Sequence, residues 1–121
     1  MERTVLLRHE VAEGAGHFDW LIERPDGGRL IAFRVRERID EGARAWEGER
    51  IADHREAYLE FEGEVSGGRG RVTRVAAGVC RVVEEGETRL VVDVKLGALV
   101  GRVVGTAQHG RWRFELVTLG N

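Results

Sequence analysis

Three short stretches of the sequence carry side chains able to do chemistry together. In His17-Phe18-Asp19-Trp20-Leu21-Ile22-Glu23 the residues alternate strictly. That period of two sends Phe18, Trp20 and Ile22 to one face of a strand and His17, Asp19, Leu21 and Glu23 to the other. An imidazole and a carboxylate two apart on a strand project side by side and can reach one ion, and His9, near the end of the preceding run, can supply a third ligand. A His-His-Asp set suits manganese or zinc. The polar outer face of an ordinary half-buried strand gives the same H-x-D pattern.

His54 and Tyr58 stand four apart in Asp53-His54-Arg55-Glu56-Ala57-Tyr58, a spacing that shares one face if the segment is helical. A histidine there can protonate a departing oxygen, and a tyrosine hydroxyl can hold a phosphate oxygen; a surface histidine beside a half-buried tyrosine is the simpler alternative. Arg34 and Arg36 share a strand face, with Phe33 and Val35 opposite and Arg38 continuing the stripe. They can bind phosphate or form a solvated face. Arg69, Arg71 and Arg74, around Gly67-Gly68-Arg69-Gly70, are a second candidate phosphate patch. That turn lacks the spacing and the Lys-Ser/Thr ending of a P-loop, which excludes a nucleoside triphosphate reading. His109, in Gln108-His109-Gly110, reads as a loop residue, and Trp112 and Phe114 as part of a final core strand.

The elements that must position these residues are mostly strands. The 121 residues fit one domain, 1–121, with a single core. With 42% hydrophobic and 33% charged residues the chain has enough apolar material to fold and too much for disorder. One proline and 17 glycines punctuate it, and β-branched or aromatic runs fall at residues 3–8, 17–23, 30–36, 71–75, 79–83, 88–95, 99–104 and 111–117. Turn residues between consecutive runs favour hairpins. The expectation is a mainly β fold, a small antiparallel β-barrel of about eight strands with one or two short helices. Residues 40–61 lack the alternation, and Asp53 with Glu56 forms a capping-box pattern that predicts helical turns over 53–60.

Cys80 is the only cysteine, which excludes an intramolecular disulfide and a cysteine-based zinc site, and its valine-rich setting predicts a buried thiol. The formal net charge of −2 argues against nonspecific coating of nucleic acid, which needs many phosphate contacts, but allows contact with one strand end. No apolar run approaches membrane-spanning length, and the polar start is unlike a signal peptide, so the expected location is cytoplasmic, with no membrane partner.

Taken in order, these segments resemble the 3′-phosphoesterase domain of bacterial DNA ligase D, which also occurs as a stand-alone protein. His9 matches the family's first histidine, His17-Phe18-Asp19 its H-Y-D strand, and Asp53-His54-Arg55-Glu56-Ala57-Tyr58-Leu59-Glu60-Phe61-Glu62-Gly63 its D-H-x-x-x-Y-x-x-F-E-G segment. The glycine turn, Gly97 to Gly101 and the closing W-x-F-x-L-V strand follow. The resemblance implies that His9, His17 and Asp19 bind a divalent metal, manganese first with zinc or cobalt as alternatives. It also implies that His54 and Tyr58 engage the scissile phosphate. Arg34, Arg36, Arg50 and Arg74 are the candidate phosphate-binding residues, and either Arg44 or Arg50 can stand in for an upstream arginine of the family. The implied activity is trimming of DNA 3′ ends that bear a terminal ribonucleotide or phosphate, with ligase and polymerase repair proteins as partners. Two family positions differ: an arginine two after the strand aspartate is Leu21, and an acidic residue two before the helix histidine is Ala52. They motivate the alternative of a catalytically degenerate member that binds metal or nucleic acid.

Overall fold

A computed structural model describes residues 1–11, 14 and 16–117. Nine strands account for most of it: β1 (Glu2–Glu10), β2 (Gly16–Ile22), β3 (Leu30–Val35), β4 (Ala45–His54), β5 (Gly63–Glu64), β6 (Arg71–Glu85), β7 (Arg89–Leu96), β8 (Leu99–Gln108) and β9 (Arg111–Val117). Every pairing is antiparallel, in the order β1-β2-β3-β4-β9-β8-β7-β6-β5. A further β1–β6 ladder joins the ends, so eight strands close a barrel-like ring and only the two-residue β5 stands outside it. Closure leaves no long unpaired edge.

The alternation of each strand sorts its side chains to two sides of the ring. Leu6, Phe18, Trp20, Ile22, Phe33, Trp46, Val92, Val103, Trp112 and Phe114 fill the interior. Its centre is aromatic: Phe114 meets Trp20 edge-on at 5.4 Å, Phe33 edge-on at 4.8 Å and Trp46 stacked at 5.5 Å. Such pairs each contribute about 0.5–1.5 kcal/mol beyond burial. Outside the ring a second apolar cluster forms on β1, β2 and β3 from Val5, Leu7, Leu21, Leu30 and Ala32, with Val72 of β6. The strap that follows β4 covers it with Leu59, Tyr58, Phe61 and Val65. Asp19 lies on this same outer face, next to Leu21 in the alternation of β2, with His17 beyond it and His9 opposite His17 on β1.

Two expectations need correction. Residues 71–75 and 79–83 are one strand, β6, that runs without a break through Gly78. A side chain at Gly78 would collide with the Lys95 carbonyl, so glycine lets β7 pack close there. The helical turns over 53–60 shrink to a 3₁₀ turn at Glu56–Leu59, preceded by Arg55 with no side-chain cap. Asp53 belongs instead to β4, where its carboxylate takes Arg50 at 2.7 Å and Arg24 at 3.0 Å. Those charged bonds outcompete the capping role. A second 3₁₀ turn spans Ile39–Glu41. Cys80 is buried as expected, and burial pushes its thiol pKa up to about 12. Among the described residues no helix is long and apolar enough to cross a membrane.

Candidate metal centre and adjoining groove

The β1–β2 ladder sets His9 directly opposite His17, and Leu7 opposite Asp19. All three polar side chains therefore emerge on one face of neighbouring strands. One ligand atom from each of His9, His17 and Asp19 lies within 4.8 Å of the others. His17 Nε2 is 3.3 Å from Asp19 Oδ1, and His9 Nδ1 is 3.9 Å from Asp19 Oδ2. The two imidazoles meet edge-on with centroids 4.9 Å apart.

Two observations test whether a cation fits. His17 Nε2 and Asp19 Oδ1 are both buried and neither makes a hydrogen bond, a costly state for a carboxylate that is only 6% exposed. A divalent cation held between them satisfies both atoms. Second, His9 Nε2 lies 2.6 Å from the Arg69 carbonyl oxygen. Donation of that N–H to the carbonyl fixes the tautomer and turns the Nδ1 lone pair toward Asp19, the backing that metal-bound histidines usually have. The Arg69 carbonyl is held by the glycine turn: Gly70, at φ +94°, packs so tightly on Glu10 that no side chain fits. The donor set and its outer support therefore fit a divalent metal.

Burial drives the His17 pKa below its ordinary 6.5; Asp19 opposes this, Arg34 and His9 reinforce it, and Glu49 opposes it. A neutral imidazole near pH 7 is the form that ligates.

Beside His17 an open groove of about 1000 Å³ runs across the outer face of β2, β3 and β4 to the turn between β8 and β9. Arg34, set opposite Asp19 by the β2–β3 register, lines it together with Arg36. Glu37, Glu47 and Glu49 line it too, as do His109 and Arg111.

The other candidates separate from this centre. His54 and Tyr58 keep each other's company, their rings edge-on at 5.3 Å. However, His54 faces Leu30, four residues along β3 from Arg34, roughly 13 Å at 3.3 Å per residue. Nδ1 of His54 is 2.8 Å from the Ala52 carbonyl, and Tyr58 packs between Phe61 and Arg55. Arg50 is held by Asp53 and stacks over Phe33. Arg74 donates from Nη1 to the Leu59 carbonyl, and its backbone N–H to Glu62. Arg69 bonds the Ser66 carbonyl. Of the phosphate candidates, Arg34 and Arg36 alone line the groove at the histidine cluster. Leu21, where the resemblance implies an arginine, is fully buried in the outer apolar cluster, while Ala52 is exposed.

Sequence reasoning missed Gly48, Glu47 and Glu49 because β4 was unrecognised. It placed His109 correctly in a turn but gave neither it nor Arg111 a part in the site. For these the available signal was the His-Gly pair of a two-residue hairpin turn, which puts both residues next to a strand end. Neither a family model nor a curated protein sequence matches this chain.

Proposed function

We propose that this chain is a metal-dependent phosphoesterase acting on the 3′ ends of DNA strands, with His9, His17 and Asp19 as ligands of a manganese-type ion. The single observation that carries the reading is the buried, unbonded pair His17 Nε2 and Asp19 Oδ1 beside a groove that holds Arg34. A bound divalent ion supplies charge neutralisation at the phosphate and an activated water. The chain's own residues do the rest. Asp19 and the two histidines fix the position of the ion, and the Arg69 carbonyl orients His9. Arg34 and Arg36 offer guanidinium donors to the nonbridging oxygens of a phosphate in the groove. The resemblance alone, and not their position, supports a catalytic role for His54 and Tyr58. The nature of the substrate likewise rests on the resemblance, as do the repair partners.

The test is phosphate release from a 3′-phosphorylated oligonucleotide with Mn²⁺, Zn²⁺, Co²⁺ or Mg²⁺ added singly. Release that depends on one of these ions, and that Asp19→Ala abolishes, supports the reading; no release with any of them sinks it.

One observation favours a second reading, a binding module that keeps the metal and lacks turnover: Leu21 stands fully buried where the family carries arginine. Losing one donor aimed at developing charge costs roughly 100- to 1000-fold in rate. Metal-dependent binding of the same oligonucleotide without phosphate release is the outcome that selects it.

A further inference from the structure

The groove extends well beyond the histidine cluster. Cross-strand partners Phe18, Val35, Gly48 and Trp112 mark one row through β2, β3, β4 and β9. That row spans three strand spacings, roughly 14 Å from β2 to β9. The cavity is therefore at the upper end of what single small molecules occupy. At its far wall, the turn between β8 and β9 carries two cationic or ionisable side chains, His109 and Arg111.

Two features set this wall apart from a generic hairpin tip. His109 is the only non-glycine among the described residues with a positive φ, +53°, and Gly110 follows at +77°. Both central residues of such a two-residue turn take positive φ, which histidine tolerates better than most side chains, so the turn holds His109 in a fixed place at the groove wall. In addition, the groove's arginines are uncommitted. Nearby Arg38 and Arg113 pair with Asp40 and Glu115, whereas Arg34, Arg36 and Arg111 make no ion pair or side-chain hydrogen bond with any described residue. Glu37, Glu47 and Glu49 of the lining likewise make no ion pair with any described residue. With three arginines against three glutamates the lining has no strong field, so it suits local phosphate contacts better than long-range attraction.

From this we infer that His109 and Arg111 form a second phosphate subsite, which grips the strand one or two nucleotides 5′ of the reacting end and makes a polynucleotide a better substrate than a small phosphate ester. The inference rests on the proposed 3′-end chemistry and goes beyond it by naming the specificity residues. Gly48, between Glu47 and Glu49 of the lining, faces the barrel interior, where a side chain would come within 3.2 Å of Val35 and 3.3 Å of Phe114; glycine there lets β4 pack close on the aromatic core beneath the groove.

The experiment compares the wild-type protein with His109→Asn/Arg111→Gln, asparagine being chosen because it tolerates the left-handed turn. Steady-state hydrolysis is measured on bis(p-nitrophenyl) phosphate and on a 3′-phosphorylated 12-mer, and binding of the fluorescein-labelled 12-mer is followed by anisotropy at several salt concentrations. The expected result is a KM for the 12-mer raised roughly tenfold or more, the effect of one lost charge-assisted phosphate contact. Its kcat, and kcat/KM for the small diester, stay within about twofold. The slope of log Kd against log salt falls by about 0.7 for the lost contact on a single strand. An unchanged 12-mer KM, or equal losses on both substrates, overturns the subsite. If the wild type hydrolyses neither substrate, the phosphoesterase reading fails by itself, and anisotropy decides the subsite: weaker binding by the variant upholds it, and equal binding or none overturns it.

Discussion

His17 Nε2 and Asp19 Oδ1 face each other at 3.3 Å on the outer face of β2, both buried and neither hydrogen-bonded. A buried carboxylate oxygen without a donor destabilises a fold unless something positive completes it. Asp19→Asn keeps the volume and removes the charge. It is expected to leave the melting temperature of the metal-free protein unchanged or higher, while weakening Mn²⁺ binding at least 100-fold. Scanning calorimetry with and without the ion checks both halves.

The lowered His17 pKa gives a defined acid response. The folded state binds fewer protons than the unfolded chain between the depressed pKa and 6.5, so stability is full above 6.5 and falls as the pH drops through that window. Urea midpoints for metal-free protein should decline from pH 7.5 to 5.5. In His17→Gln the decline should be visibly shallower.

A separate acid response belongs to the far end of the barrel. Arg24 bonds Glu85 at 2.7 Å and Asp53 at 3.0 Å. The Arg24 hydrogen bond holds Glu85 below its ordinary 4.5. Burial alone would raise Asp53, but bonds from Arg50 and Arg24 outweigh it and bring the pKa below 3.8. Depressed carboxylates contribute stability above their ordinary pKa values that is lost as pH falls through the folded ones. Arg24→Met should therefore flatten the loss of stability below pH 4.5, a titration that circular dichroism follows.

Leu21 tests what the fold permits at the position where the resemblance implies an arginine. It sits among Val5, Leu7, Leu30, Ala32 and Leu59 with no exposed surface. Leu21→Arg is expected to cost on the order of 3 kcal/mol or more, because the guanidinium has no partner there. It should give no gain in turnover. Equilibrium urea unfolding measures the first and phosphate release the second.

Gly70 links the loop to the ligands. At φ +94° and in contact with Glu10, it admits no side chain without moving the turn that presents the Arg69 carbonyl to His9. Gly70→Ala should weaken metal binding about 10- to 100-fold, the usual effect of losing a ligand's outer hydrogen bond. A near-native circular dichroism spectrum would assign the loss to the centre.

Strict alternation made the ligand-bearing strands readable in advance: His17 and Asp19 on one side, Trp20 on the other, as β2 has them. β4 stayed hidden because Gly48-Glu49-Arg50 breaks that alternation, and a register shift between Leu30 and Ala32 bends its ladder with β3. Asp53 misled for a different reason. Its local capping pattern is real, but the arginines that claim it include Arg24, 29 residues away in sequence and brought near only by closure of the ring. Arg50 and Arg74 looked as available as Arg34 on the page. Their commitments to Asp53 and to the Leu59 carbonyl are tertiary, and no spacing rule reports them.

The most direct test of the account is titration of metal-free protein with Mn²⁺ and Zn²⁺ by isothermal calorimetry, set beside His17→Ala and Asp19→Ala after both variants are shown to be folded. The account predicts one ion bound per chain by the wild type, with proton release growing as the pH falls toward the His17 pKa, and binding lost in both variants. Absence of binding in the wild type, or binding that survives both substitutions, would contradict it.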